Sequence, residues 1–319
     1  MGIAKRALRP YRGCVTPIPA SVFWPHFCGI SIFALGGWCA SRELRDLKWA
    51  DKVIALGPVF FSAPMAVFGG EHLTVANAMA PMVPQWMPAH LFWVYFVGVA
   101  LEAAALSIVL NRLRRVSSTL LGVMLLLFVL LIHLRGLAAN PKDVRVITVA
   151  LRDMAFGAAA IAYRTSQSRI GPKIVTIARC IVGVSLLFFA WQYFPHPDLT
   201  PVTPLGLKSP GWIPLQWFWG YGIAMALIVG GTMLIMNWHS RRAAEWIGTL
   251  IFASVLFVYL PILIANPSDI GVAMNYVADT LAISGEALLL AGLLPHQAFR
   301  VVWDLRQEAP KMHGPSSAN

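Results

Sequence analysis

Long apolar blocks separated by short polar ones set the pattern of this chain. Eight blocks stand out, at roughly 53–70, 90–110, 117–136, 146–163, 174–194, 214–236, 245–264 and 272–296. Each is close to the ~20 residues a helix needs to cross a ~30 Å hydrocarbon core. The predicted fold is therefore all-α, a polytopic membrane helical bundle. A ninth apolar stretch, 21–40, precedes these eight. Lys5, Arg6, Arg9 and Arg12 before it look like the n-region of a signal peptide, and Trp38-Cys39-Ala40 fits a cleavage site. Cleavage there would leave residue 41 outside and invert every later loop. The later loops point the other way, so the expectation is an uncleaved extra helix with an outward N-terminus. An in-plane or re-entrant segment is the alternative.

Composition agrees with the pattern. Of 319 residues 58% are hydrophobic, mean hydropathy is +0.67, and 12% are charged, about half the ~25% of a soluble globular protein. Disorder, a disulfide-stapled secreted domain and an ordinary cytosolic enzyme are excluded. The formal charge of +11 does not point to nucleic acid, because Lys and Arg gather in alternate short loops. Arg112, Arg114 and Arg115 follow the second span, Arg164, Arg169 and Lys173 the fourth, Arg241 and Arg242 the sixth, and Arg300, Arg306 and Lys311 the eighth. The intervening loops are poorer, apart from the one with Arg135, Lys142 and Arg145. By the positive-inside rule, 41–52, the even-numbered connections and the C-terminus face the cytoplasm, as expected in a bacterial inner membrane. Cys14, Cys28, Cys39 and Cys180 form no CxxC and no metal-ligand spacing with His, so they read as apolar fillers and no metal site is expected.

Shifting the chain by 126 residues aligns 84–153 with 210–279 without a gap. Pro84, Trp86 and Pro88 fall on Pro210, Trp212 and Pro214, and Phe92, Trp93 and Tyr95 on Phe218, Trp219 and Tyr221. Asn111 and Arg115 meet Asn237 and Arg241, Gly122 meets Gly248, and Asp153 meets Asp279. Ala139-Asn140-Pro141 and Asp143 meet Ala265-Asn266-Pro267 and Asp269. Trp, Pro, Asn and Asp coincidences at one offset indicate tandem duplication of a four-helix unit. Even span numbers imply two parallel repeats. The expected units are an N-terminal basic segment with the extra helix (1–52), a first repeat (53–164), a second repeat (165–296) and a cytoplasmic tail (297–319).

The Asn-Pro-x-Asp sequences read as helix starts, with Asn as cap, Pro at the first helical position and Asp near the positive end of the dipole. Trp86, Trp93, Trp212 and Trp219 read as interface anchors, with quinone stacking as the functional alternative. Ionisable residues inside spans are costly unless paired or wet. Counted at ~1.5 Å per residue, Glu102, Arg152, Asp153, Arg179 and Asp279 fall roughly 18–21 Å from the outer surface. The expectation is that Glu102, Asp153 and Asp279 pair with Arg152 and Arg179, as a structural network or as a proton relay or polar substrate site. Glu71, His72 and His133 are candidate proton carriers. Glu286, near the inner end of its helix, is expected to reach water.

Leu56-Gly57 to Gly69-Gly70-Glu71-His72-Leu73, then Trp86-x-Pro88, then Glu102 and a small-residue run to Asn111-Arg112 and Arg115, resembles the DoxX-like four-helix membrane proteins. The likeness covers 53–163, and 174–290 more loosely. The second copy departs from it, with Ile228 at the Glu102 position and Gln192-Tyr193 at the Glu71-His72 position. The resemblance implies a membrane subunit of a quinone-linked oxidoreductase system with a soluble or membrane redox partner. A non-catalytic scaffold and a proton-coupled small-solute transporter are the alternatives. The sequence itself requires no cofactor, and quinone enters only through the resemblance.

Overall fold

The computed structural model describes residues 18–165 and 171–295. Lys5, Arg6, Arg9, Arg12, Cys14, Arg169, Arg300, Arg306 and Lys311 lie outside the described residues.

The chain is an all-α polytopic bundle. Its helices are α1 (Ala20–Leu44), α2 (Trp49–Ala55), α3 (Gly57–Thr74), a short α4 (Ala76–Met79), α5 (His90–Val109), α6 (Arg114–Phe128), α7 (Leu134–Ala139), α8 (Val144–Thr165), α9 (Gly171–Gln192), α10 (Gln216–Ile235), α11 (Ser240–Ser254), α12 (Leu260–Ala265) and α13 (Asn275–Leu293). π-Helical turns at Val129–His133 and Val255–Tyr259 join α6 to α7 and α11 to α12, and a third, Ile270–Met274, leads into α13. Among the described residues nine stretches are long and apolar enough to cross a membrane, α1 included. The last helix stops at Leu293, and Leu294 is extended, short of the expected residue 296.

The Asn-Pro-x-Asp sequences work differently from expectation. Asn140 and Asn266 terminate α7 and α12. The Asp143 carboxylate then accepts the Arg145 N–H at 2.9 Å, and Asp269 accepts that of Val272 at 3.0 Å. A carboxylate beside free N–H groups suits a helix start better than an Asn three residues earlier.

Helices in lipid gain little from hydrophobicity and associate through close packing at small residues. α13 lies antiparallel to α3 at backbone contact. A Cβ on Gly57 would sit 2.9 Å from the Leu289 nitrogen, and one on Gly285 would collide with the Phe61 backbone. α1 runs antiparallel along the other side of α3. Gly70 abuts Pro25, and Cβ atoms on Gly29 and Gly36 would meet Val67 at 2.5 Å and Val59 at 2.9 Å. Residues 21–40 are thus one helix laid lengthwise on the bundle, with its first residues level with the end of α3.

α13 also packs on α8, α9 and α11, and α8 packs on α9 and α6. α5 leans on α3 and α6, and α10 on α9 and α11. The neighbour order α3–α5–α6–α8 is therefore matched by α9–α10–α11–α13. Phe60 stacks on Phe252 with centroids 4.3 Å apart, and Phe61 meets Phe156 edge-on. Phe60 and Phe61 of α3 are each 1% exposed. One end of the bundle carries the turns at 45–48, 110–113 and 236–239, and we call it the basic face. The other, the loop face, carries 75–89, 140–143, 193–215 and 266–269.

Candidate functional site

Near the loop-face end, the side chains of α8 and α13 meet. Arg152 of α8 gives its Nη1 to both oxygens of Asp279 on α13, each at 2.7 Å. Its Nε and Nη2 reach Asp153 Oδ1, both at 2.9 Å. The second Asp153 oxygen lies 2.7 Å from His133 Nε2. A His133–Asp153–Arg152–Asp279 chain results, its side chains between 5% and 17% exposed. The guanidinium also lies 5.9 Å over the Phe156 ring. His133 closes the π turn that interrupts the α6–α7 span, a local unwinding typical of functional positions.

Two carboxylates face one guanidinium, so the cluster carries an unbalanced negative charge until a proton joins it. The His133 ring lies against the second acid, and burial makes the charge imbalance expensive.

Two expected members stand elsewhere. Glu102 is on α5, and α3 lies between α5 and α13. Its chain folds over Gly69, where a Cβ would meet Glu102 Cγ at 2.9 Å, and its Oε1 is buried without a hydrogen-bond partner. Arg179 of α9 is buried at 6% exposure and donates to the Ile235 carbonyl at 3.1 Å. Counting residues gives depth but not direction around the helix axis, so Glu102 misses the cluster behind α3; Arg179 lies nearer the basic face, since Ser185, six residues further along α9, is the one that reaches the Leu151 carbonyl. Glu286 also departs from expectation. It is 2% exposed, and its Oε2 has no partner.

Glu71 and His72 are placed separately from each other. With its amide turned so that the nitrogen faces α3, Asn275, one helical turn before Asp279, donates to both Glu71 oxygens at 2.7 and 3.1 Å. His72 Nδ1 sits 2.7 Å from the Phe68 carbonyl of its own helix. The other half of the bundle places Gln192, whose Nε2 donates to Thr148 Oγ1 at 3.0 Å, at the corresponding seam of α9 and α8.

Over the α13 end of the cluster lies a segment that sequence reasoning missed. Leu199, Thr200, Val202 and Thr203 of the long loop-face connection are at most 9% exposed. Tyr193 donates to the Thr200 carbonyl at 2.6 Å, Tyr259 donates to that of Pro201, and Leu207 N–H donates to the Tyr276 hydroxyl at 3.0 Å. The Thr203 and Thr280 hydroxyls bond at 2.9 Å, next in sequence to Asp279. Val202 is fully buried with φ of 77°, a left-handed conformation that costs a β-branched residue about 1–3 kcal/mol. At the rim, Lys208 bonds Asp198 at 2.8 Å, holding the Asp198 carboxyl below its usual range and raising the lysine. One signal was available: Tyr259 stands 126 residues after His133, at the end of the matching π turn.

The four tryptophans do not build a ring-binding slot. Trp86, Trp212 and Trp219 are 72%, 58% and 55% exposed, and Trp93 donates its indole N–H to the Pro88 carbonyl at 2.9 Å. One pair flanks α5 and the other α10, helices with different neighbours. These positions suit anchoring at the bilayer surface, and a quinone ring finds no enclosed partner among them.

Residues 61–152 match a family model described as a domain of unknown function (DUF8561). No curated protein and no solved structure matches the chain. The matched segment runs from mid-α3 to Arg152 and so includes Glu71, His72, Glu102 and His133.

Proposed function

We propose that this is a DoxX-like integral membrane protein, built by tandem duplication, that handles protons inside the bilayer as a membrane subunit of a quinone-linked redox system. The observation that carries the proton role is the His133–Asp153–Arg152–Asp279 chain, with two acids on one fixed cation and a titratable ring at its end. A permanent guanidinium holds both carboxylates in place, and His133 takes up or releases the proton that balances them. The duplication is supported by elements of equal length at one spacing: α5 and α10, α6 and α11, and the two π turns. The redox setting rests on the resemblance alone. In the orientation we propose, the basic face lies on the cytoplasmic side of a bacterial inner membrane.

A second reading, proton-coupled transport of a small solute, draws support from the matched interruptions at Val129–His133 and Val255–Tyr259. Helices broken at corresponding places in two halves are a mark of transporters. A scaffold role would leave the cluster as a clamp between α8 and α13.

Proteoliposomes containing a pH-sensitive dye separate these readings. Proton flux should fall about 100-fold in Asp153→Asn, the lower range for losing a positioned proton-transfer group, and His133→Gln should behave alike. Flux that requires an added solute would favour transport. Wild-type vesicles that pass no protons, with or without solute, would leave the clamp. Organic extraction with mass spectrometry tests the quinone link: near-stoichiometric quinone supports it, and none after gentle purification removes it.

A further inference from the structure

Glu286 lies outside the cluster yet occupies the same face of α13. Asp279 and Glu286 are two turns apart, so they project within about 20° of one another around the axis. This face is turned toward α8, because Asp279 holds Arg152 there. Helices α8 and α13 run in the same direction, and the level of Glu286 falls at Ala158, Ala159 and Ala160, all 7% exposed or less. These small side chains make room for a carboxyl and offer it no hydrogen bond. Ser62 of α3 likewise has a buried hydroxyl without a partner.

Along α13 the acids form a series. Glu71 is held at Asn275 near the loop face, Asp279 lies ~12 Å into the span, and Glu286 lies ~22 Å in. The Arg241–Asp51 pair, 3.0 Å apart, closes the far end, where Arg241 also donates to the Ala291 carbonyl at 2.7 Å. The charged and histidine side chains on the elements around Glu286 are Arg145, Arg152, Asp153 and Arg164 of α8, Lys173 and Arg179 of α9, Glu71 and His72 of α3, Arg241, Arg242 and Glu245 of α11, and Asp51 and Lys52 of α2. None of them bonds to it.

We infer that Glu286 is a second proton-binding site in series with Asp279, taking protons between the ion-pair cluster and the basic face along α13. The inference rests on the proton-handling reading and adds the direction of travel. An ionised carboxylate without a partner at this depth would cost several kcal/mol, so the site is stable with its proton on. Asp279 differs in having the Arg152 guanidinium on both of its oxygens. Two carboxyls so differently held on one helix face can exchange a proton through transient water.

Infrared spectra of the full-length protein in liposomes test the binding. The carbonyl stretch of protonated carboxylic acids should be present at neutral pH, lose one component in Glu286→Gln and keep that component in Glu102→Gln. A second probe is dicyclohexylcarbodiimide. The acid proton moves to a carbodiimide nitrogen, the carboxyl oxygen bonds the central carbon, and acyl migration leaves a stable N-acylurea. Mass spectrometry should find the adduct on Glu286 and not on Asp279. An unchanged acid band in Glu286→Gln would overturn the inference.

Proton flux tests the serial placement, and Glu286→Gln should match the loss seen in Asp153→Asn. If Asp153→Asn abolishes flux while a folded Glu286→Gln conducts normally, the serial site is wrong and the cluster reading stands. If Glu286→Gln does not fold, Glu286→Asp is measured instead, with a shifted acid band and slowed flux expected. Absence of flux in the wild type would remove the cluster reading and the series together, leaving the infrared band to decide the proton on Glu286.

Discussion

Arg152 is the residue on which most others depend. Taking away one partner of a buried ion pair strands a charge and costs about 3–5 kcal/mol. Arg152→Ala strands two carboxylates and should destabilise the protein by about that amount in reversible unfolding from mixed micelles, whereas Asp279→Ala leaves Arg152 paired with Asp153 and should cost less. Glu102→Gln breaks no ion pair and should cost far less than Arg152→Ala. Equal stability of wild type and Arg152→Ala would show that the cluster contributes nothing. This residue-scale picture was half legible in the sequence. Arg152, Asp153 and Asp279 share a level that counting can find, and they share a direction as well. Glu102 is screened by α3, and Arg179 lies nearer the basic face, bonded to the end of α10. His133 reached the cluster through a π turn, which shifts the facing of every later residue and leaves no composition signature.

At the scale of elements, the buried loop-face segment was the least legible feature. Its proline-rich, polar stretch reads as surface, and only the hydroxyls of Tyr193, Tyr259, Tyr276 and Thr280 waiting on the helices explain why it is buried. Val202 offers a direct check of its strain. Glycine accepts a positive φ that alanine resists by about 1–2 kcal/mol. Val202→Gly should therefore unfold at higher denaturant than Val202→Ala, although it removes more side chain. The Asp198–Lys208 pair adds a pH dependence. A carboxyl held low contributes above its unfolded value and loses that contribution as pH falls through the folded value. The rim of the segment should loosen in acid, below the usual carboxylate range. Hydrogen exchange at the Ser209 amide, corrected for intrinsic rate, should rise there by a few-fold, and Lys208→Met should abolish the rise. The effect is small because both side chains are solvated. Seams between helices are more demanding. Gly285→Val drives a branched side chain into the α3 backbone and should cost about 3 kcal/mol, the upper end for overpacking.

For the whole molecule, the spans were readable from hydropathy alone, because a bilayer demands length and apolarity of every crossing helix. Their neighbours were not readable, since close approach depends on single glycines such as Gly57 and Gly285. Orientation is open to a direct test. In a protein whose native cysteines are replaced by serine, Lys208→Cys should react with a membrane-impermeant maleimide in right-side-out vesicles, and Arg112→Cys should react only after lysis. The reverse pattern would turn the molecule over.

The bridge at Arg152 has one more consequence. Position 153 is Asp in the first half, and the residue 126 places later is Asp again, whereas the partner of Arg152 at that spacing is Ala278. A pair of identical chains meeting at this seam would bring two arginines or none. On the duplication we propose, halves that have drifted apart can hold one cation between two matching acids, so an odd charge on the seam is a property that two identical chains meeting there could not have.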